Sequence, residues 1–215
     1  MNINKDTTVY GSFSLNAGNN GNIFFNKLFE LYGINSIYKS FSVVDIESAV
    51  KAAKTLNFGG FAVSMPFKKT IINFLDEITE PVKITNACNT VINKDGKLIG
   101  YNTDYLAVKE KLDFLSTSNV VNLIILGNGG MASSAKYAAD LLNMKYEIIT
   151  RKNWDDIETL QSKVILNCTP VEDIKIDKNN IFIDFIPTTE MGKNIHKILA
   201  IEQFYLYTGV KVKKM

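Results

Sequence analysis

Apolar and polar positions alternate between strand-like and helix-like stretches along the whole chain. Val9 to Ser14 predicts a strand that runs into a loop rich in glycine and asparagine, Asn16 to Asn22. From Ile23 the apolar residues Phe24, Leu28, Leu31 and Tyr32 recur at helical spacing, and Gly33 supplies a C-cap. Ser36–Phe41 predicts a short strand, Asp45–Leu56 a helix, and Gly60–Ser64 a buried strand stopped by Pro66. A helical pattern follows at Lys69–Leu75 and a strand at Asn89–Asn93. Asp95-Gly96 is a turn signal, so Val91–Gly100 reads as a hairpin, and Asp104–Leu115 as a further helix.

The texture changes after Ser116-Thr117-Ser118-Asn119, the best linker candidate. Val120–Leu126 is an apolar run, interrupted only by Asn122, of the kind that parallel sheets bury on both faces. A glycine turn, a helix at Met131–Leu142 and a strand at Tyr146–Thr150 come next. A brief helix at Trp154–Leu160, apolar strands at Val164–Asn167 and Ile181–Phe185, and a closing helix at Asn194–Tyr207 complete the series. Strands alternating with helices predict the α/β class.

Composition narrows the function classes. The 215 residues are 46% hydrophobic and 21% charged, a length between one domain and two small ones. Net charge is +2 and the lysines are scattered, apart from Lys211, Lys213 and Lys214 in the tail, so no nucleic-acid partner is expected. Met1 to Asp6 lacks the apolar core of a signal peptide, and no apolar run approaches the roughly 18 residues of a membrane span. Cys88 and Cys168 lie in different segments without metal-ligand spacing, which predicts reduced thiols, no metal and a cytoplasmic protein. His196 is the only histidine, so a histidine-based triad is excluded and a structural or exposed role is expected.

Two regions carry candidate chemistry. Gly127-Asn128-Gly129-Gly130-Met131-Ala132 follows a buried strand and opens a helix. Glycines let the backbone approach a pyrophosphate closely, and the free N–H groups of the helix start favour the anion, although a tight turn without a ligand has the same pattern. About twenty residues on, where an acidic residue would bind a ribose hydroxyl, stands Ile149-Thr150-Arg151-Lys152. Arg151 can hold a 2′-phosphate, which leans toward NADP with NAD open; an ordinary surface arginine is the alternative.

The first half places polar residues where a core would not. Val63-Ser64-Met65-Pro66-Phe67-Lys68 sets a lysine just past a buried strand. Asn86-Ala87-Cys88-Asn89-Thr90 puts amides before another strand, and Gly100-Tyr101-Asn102-Thr103-Asp104 ends the hairpin. Amides and hydroxyls can fix a polyhydroxylated small molecule, and a Lys–Asp pair can transfer a proton. Singly, Lys68 reads equally as a solvated charge, Asn89 as a turn former and Asp104 as a helix N-cap.

Taken in order and spacing, Gly60–Lys68, Asn89-Thr90, Gly100–Asp104 and the glycine turn resemble the shikimate dehydrogenase family, and Ser12–Gly21 is most similar to its divergent shikimate dehydrogenase-like branch. The resemblance runs from about Asn4 to Arg151. It implies an N-terminal α/β substrate domain and a shortened Rossmann-type nucleotide domain with parallel strands. Lys68 and Asp104 would be the catalytic dyad, Asn89 and Asn102 would bind substrate hydroxyls, and Ser64 stands where the family has threonine. Gly127, Asn128, Gly129, Gly130, Met131, Ala132, Arg151, Thr169 and Gly192 would hold NADP, or NAD. Family enzymes oxidise the shikimate hydroxyl beside the ring alkene to the ketone of 3-dehydroshikimate, in aromatic amino acid biosynthesis.

This sequence departs from the pattern in places. The family's Ser-x-Ser-Pro-x-x-His-Asn loop holds the substrate carboxylate. Counting back from Asn26, its serine positions carry Asn19 and Gly21 and its histidine position Phe25, which leaves Asn19 as the candidate contact. Asn167-Cys168-Thr169-Pro170 resembles the family's Asn-x-Thr-Ser, but no Gly-Met follows. Only Trp154–Leu160 fits where the family has a helix and another strand, and Met191-Gly192 reads as the remnant of a further strand. Leu199 falls where the substrate-binding glutamine belongs, with Gln203 one helical turn away as its substitute.

The expected organisation is a substrate domain at 1–103, a connecting helix and linker at 104–118, a nucleotide domain at 119–187, and a closing helix and tail at 188–215. The expected activity is interconversion of shikimate, quinate or a related hydroxy acid with its 3-dehydro ketone by a monomer or homodimer. A non-catalytic nucleotide- or metabolite-binding descendant is the alternative. A methylene-tetrahydrofolate dehydrogenase is a third reading, from which the Asn-Thr-Asp segment points away.

Overall fold

The structure is a computed structural model and describes residues 3–116 and 123–212. The chain divides into two compact units, the first of residues 1–103 with 200–215, the second of residues 104–199.

In the first unit, β1 (Thr8–Ser14), α1 (Asn20–Leu31), β2 (Ser36–Ser42), α2 (Ile46–Thr55) and β3 (Gly60–Val63) follow the alternation of the sequence. β1 pairs in parallel with both β2 and β3. Helix α1 stops at Tyr32: the Ile34 N–H reaches the Phe29 carbonyl at 2.8 Å and the Gly33 N–H the Glu30 carbonyl at 3.2 Å, with Gly33 at φ +63. Asp45 caps α2, accepting from the N–H groups of Glu47 and Ser48. The expected helix at Lys69–Leu75 is a 3-10 turn, Thr70–Phe74, pinned by the fully buried Ile71.

Two short elements had no periodic signal, β4 (Glu77–Ile78) and α3 (Glu80–Thr85); neither is long enough to show one. The hairpin β5 (Thr90–Lys94) and β6 (Lys97–Tyr101) turns at Asp95 and Gly96, both at positive φ, as a two-residue turn of this hand requires. The sheet runs β2-β1-β3-β5-β6-β4. Its edge strand β2 is covered by side-chain amides of α1: Asn26 bonds both the N–H and the carbonyl of Tyr38, and Asn22 accepts from the Ser40 N–H.

The second unit opens with α4 (Asp104–Ser116) and continues with β7 (Leu123–Leu126), α5 (Gly130–Leu141), β8 (Tyr146–Ile149), β9 (Val164–Asn167) and β10 (Ile181–Asp184). Part of the expected linker and the first three residues of the expected strand Val120–Leu126 lie outside the described residues. The four strands are all parallel, in the order β10-β9-β7-β8. β7 and β9 are buried along their whole length, as the apolar runs predicted.

One sheet face is covered by helices: Ala107, Val108 and Leu112 of α4, and Ala132, Ala135, Ala138 and Ala139 of α5. The small residues of α5 let α4 pack closely on it, with Tyr105 and Tyr137 meeting edge to face at 4.9 Å. The other face is covered by the expected brief helix, a 3-10 turn at Trp154–Thr159, and by Ile174 and Ile176 of an irregular segment.

The last helix, α6 (Glu190–Thr208), begins four residues earlier than its apolar periodicity suggested. Met191 and Gly192 are therefore helical, not a strand remnant. A Cβ at Gly192 would run into the Ile186 carbonyl oxygen, so glycine is what lets the first turn close on that backbone. Ile195 and Leu199 join the second unit's core, whereas Phe204 and Tyr207 join the aromatic cluster of Tyr10, Phe25, Phe29 and Tyr38 in the first. Among the described residues no helix is long and apolar enough to cross a membrane.

Candidate functional site

The polar constellation of the first unit is assembled by the β5–β6 hairpin. Thr90 pairs with Tyr101, so continuing that register sets Asn89 opposite Asn102, just past the ladder. The Asn89 N–H still bonds the Tyr101 carbonyl at 3.1 Å. Asn89, Thr90, Asn102 and Thr103 are all buried; Asn89, Thr90 and Thr103 bond one another, and the Asn102 side chain bonds Thr85. The Asn89 Nδ2 donates to Thr103 Oγ1 at 2.9 Å, while its Oδ1 accepts from Thr90 Oγ1 at 2.8 Å and from the Thr103 N–H at 2.9 Å. Asn102 Nδ2 donates to Thr85 Oγ1 at 2.9 Å, and that hydroxyl donates to the Pro81 carbonyl.

Ser64 and Lys68 come from the segment after β3. The Ser64 N–H donates to the Phe13 carbonyl at 3.0 Å, and its side chain is exposed. The peptide before Pro66 is cis. The Cys88 N–H donates to the Lys68 carbonyl at 2.8 Å, which ties the half-buried lysine to the residue preceding Asn89. Lys68, Asn89 and Asn102 are thus brought to one end of the first unit. Asp104 follows Thr103 directly in the chain and opens α4, with its side chain buried.

The other substrate candidates are placed differently. Asn19 is the N-cap of α1 and its side chain accepts from Asn22 Nδ2 at 2.8 Å. A Cβ at Gly21 would meet the Tyr38 ring at 2.9 Å, so a serine there would displace that ring. Leu199 is core. Gln203 is buried and its Nε2 is engaged with Thr90 Oγ1 at 2.9 Å and the Asn89 carbonyl at 3.3 Å. The hydroxyls of Thr85, Thr90 and Thr103 went unremarked in the sequence as site residues; the signal was the Asn-Thr dipeptide repeated at 89–90 and 102–103, one copy on each hairpin arm.

In the second unit the glycine turn lies at the carboxyl ends of β7 and β9, where the chain order across the sheet changes direction and α/β sheets bind ligands. Gly127 has φ +104, and a Cβ there would meet Thr169 Cγ2 at 2.9 Å and the Cys168 carbonyl at 3.3 Å. Gly129 caps α5 without any side-chain hydrogen bond, and a Cβ there would meet nothing within 4 Å. The first turn of α5 therefore keeps N–H groups that no side chain caps, over open space, which fits a dinucleotide pyrophosphate.

Arg151 is exposed just beyond β8, where a 2′-phosphate would come. Thr169 Oγ1 donates to Asn167 Oδ1 at 2.7 Å, which orders the turn after β9. Beyond it, a hollow of about 350 Å³ over the ends of β9 and β10 is lined by Asn167, Glu172, Asp184 and Thr188 among others. Burial pushes the Cys168 thiol up, and the nearby Asp104 and Asp184 push it further, so it stays protonated and unreactive. His196 Nε2 lies 3.2 Å from the Phe185 carbonyl, a structural contact. Among the described residues no group of three or more histidine, cysteine, aspartate or glutamate side chains could hold a metal ion.

Residues 21–91, which include Lys68 and Asn89, match the family model of the shikimate dehydrogenase substrate binding domain. A shikimate dehydrogenase-like protein of Haemophilus influenzae is 42% identical over 132 residues, 61% of this chain and 49% of that one. Over these segments the chain is similar to the shikimate dehydrogenase family. An NADP(+) shikimate dehydrogenase of Pyrococcus furiosus is 36% identical over 137 residues, 63% of this chain and 51% of its own length. The chain thus spans about half the length of these curated relatives. The crystal structure of shikimate dehydrogenase from Aquifex aeolicus superposes with a TM-score of 0.84 at 26% identity, covering 98% of this chain and 96% of that one.

Proposed function

We propose that the chain is a member of this family and an NADP-dependent oxidoreductase, NAD being the alternative cofactor, that interconverts a ring hydroxyl of shikimate, quinate or a related hydroxy acid with the ketone. The observation that carries the reading is the buried Asn89–Thr90–Asn102–Thr103 cluster beside Lys68: amides and hydroxyls held in place by hydrogen bonds at a strand end suit recognition of a hydroxylated ring. Residues 1–103 supply substrate contacts from Ser64, Asn89 and Asn102. Residues 119–187 supply the nucleotide site, with Gly127–Ala132 at the pyrophosphate, Arg151 at the 2′-phosphate and Thr169 beside the turn.

NADP held at the glycine turn would supply the acceptor for the hydride of the carbinol carbon. By the family resemblance Lys68 would handle the hydroxyl proton, and Asp104 would orient it and share the charge. Asn89 and Asn102 orient the ring through its other hydroxyls. Gly192 contributes by backbone packing against Ile186. The curated relatives named as NADP(+) shikimate dehydrogenases support the cofactor and the reaction class.

A second reading, a nucleotide- or metabolite-binding protein without turnover, is favoured by one observation: Leu199, at the glutamine position, is sealed in the core and offers no polar group. NADPH formation, followed by absorbance with purified protein, shikimate or quinate, and NADP or NAD, decides between them. Turnover lost in Lys68→Ala supports the dehydrogenase. Nucleotide binding without turnover at saturating substrate supports the second reading.

A further inference from the structure

Gln203 sits where the sequence suggested a substitute substrate ligand, yet both hydrogens of its amide nitrogen are already committed within the first unit. One reaches Thr90 Oγ1 at 2.9 Å and the other the Asn89 carbonyl at 3.3 Å. An amide nitrogen cannot accept, so the Thr90 oxygen must act as acceptor there and send its own hydrogen onward. It does so to Asn89 Oδ1 at 2.8 Å, which also takes the Thr103 N–H. The direction of every bond is therefore set from α6: Gln203 to Thr90, and Thr90 to Asn89. With two donors on its oxygen, the Asn89 amide cannot flip, and its nitrogen stays on the Thr103 side.

We propose that Gln203 is a positioning residue, which acts through the Thr90 hydroxyl to fix the orientation of the Asn89 amide and does not contact substrate. The assignment rests on the proposed role of Asn89 in substrate binding. It fits the burial of all four residues, Gln203 at 9% exposure, Asn89 at 4%, Thr103 at 1% and Thr90 at 0%. A helix residue that merely filled space would not need a donor aimed at a side-chain hydroxyl.

Gln203→Glu separates polarity from packing. It keeps the volume, but a carboxylate accepts from Thr90 and so withdraws the hydrogen from Asn89. Thr90→Val breaks the relay without touching Gln203, and Thr90→Ser retains it. The first readout needs no activity: the Asn89 side-chain amide pair in a nitrogen–proton correlation spectrum, assigned by its loss in Asn89→Asp. The pair shifts and exchanges about threefold to tenfold faster in Gln203→Glu and Thr90→Val, and is retained in Thr90→Ser, while the remaining spectrum stays dispersed.

The second readout is the KM for shikimate at saturating NADP, which rises about threefold to tenfold in the same two variants, with kcat within about twofold. Unchanged Asn89 signals in Gln203→Glu overturn the proposal. So does a KM that rises in Gln203→Glu but not in Thr90→Val, which marks direct contact. If the unaltered protein turns over no substrate, the dehydrogenase reading falls, and the amide signals still decide what Gln203 does.

Discussion

The two units bury their interiors by different means. The first carries a polar network inside it: Asn89, Thr90, Asn102, Thr103, Thr85 and Gln203 are buried and bonded to one another at strand ends. The second is held by aliphatic strands and an alanine-rich helix, with glycines at the turn proposed to approach a nucleotide. A network of side-chain bonds specifies one arrangement of donors and acceptors, as recognition of a particular ring demands. Backbone N–H groups recognise only the anion and the shape around it, which suffices for a nucleotide common to many reactions. Unit by unit, specificity and generality follow from which groups are buried.

That division is tested most severely at Lys68. Lys68→Ala is expected to lower kcat by about 10²- to 10⁴-fold, the usual contribution of a positioned proton-transfer group, while NADP affinity by calorimetry stays within about twofold. Loss of nucleotide binding together with turnover would show that the two units do not divide the work this way.

The next test concerns the thin cover of the second sheet. Among the described residues each unit has one 3-10 turn with a buried isoleucine, Ile71 at 0% exposure and Ile157 at 3%. Ile71 is enclosed by helices and strands of its core, whereas Ile157 packs on strand residues Ile124, Leu126, Ile149 and Ile165 with only Trp154, Leu160 and an irregular segment beside it. Truncation of a buried isoleucine to alanine costs about 2–5 kcal/mol, less where the surroundings collapse into the space. Ile71→Ala should therefore fall in the upper part of that range and Ile157→Ala in the lower. Urea unfolding measures both, and Trp154, the only tryptophan, reports the second unit separately. Equal costs would mean that the 3-10 cover packs as firmly as a helix.

The helices α1, α2 and α5 were legible because periodicity needs length, and β7 and β9, four residues each, because an apolar stretch marks a buried strand without a period; all five fall within a few residues of their expected positions. β4, with two residues, and α3, with six, carry too few positions to show a period. The start of α6 was missed because Met191 and Gly192 lie before its apolar stripe, and glycine there serves contact with Ile186. Of the candidate site, Lys68, Asn89, Asn102 and Asp104 were singled out through the family resemblance, whereas the roles proposed for Thr90 and Gln203 depend on which atom donates, and residue types alone leave that open.

Two glycines of the binding turn separate folding from ligand contact. Gly127 is at positive φ with Thr169 and Cys168 against it, so Gly127→Ala should cost about 1–3 kcal/mol of stability as well as nucleotide affinity. Gly129 has an ordinary φ of −89 and open space around it. Gly129→Ala should leave unfolding within about 0.5 kcal/mol of the parent, yet weaken NADP binding, since the added methyl stands where a pyrophosphate would approach. Thermal unfolding and nucleotide titration of the two variants check this; unimpaired NADP binding by Gly129→Ala would remove the turn from the site.

The smallest effect expected is an acid response confined to the first unit. Asp76 Oδ2 accepts from the Leu98 N–H at 2.8 Å and from Lys54 Nζ at 3.0 Å, and these bonds, the backbone one foremost, hold its pKa below the ordinary carboxylate value. A carboxylate whose pKa is depressed on folding binds fewer protons folded than unfolded, so its contribution is complete above the unfolded pKa. It is lost as pH falls through the depressed folded value. Because Asp76 is exposed, solvent screens the lysine contact and most of the effect must come from the Leu98 N–H, which joins the 3-10 region to β6. Asp76→Asn should therefore lower stability slightly at neutral pH and flatten its decline in acid. A decline that stays as steep in the variant would place the acid-sensitive carboxylates elsewhere, and would leave the Leu98 contact as a bond that either protonation state makes equally well.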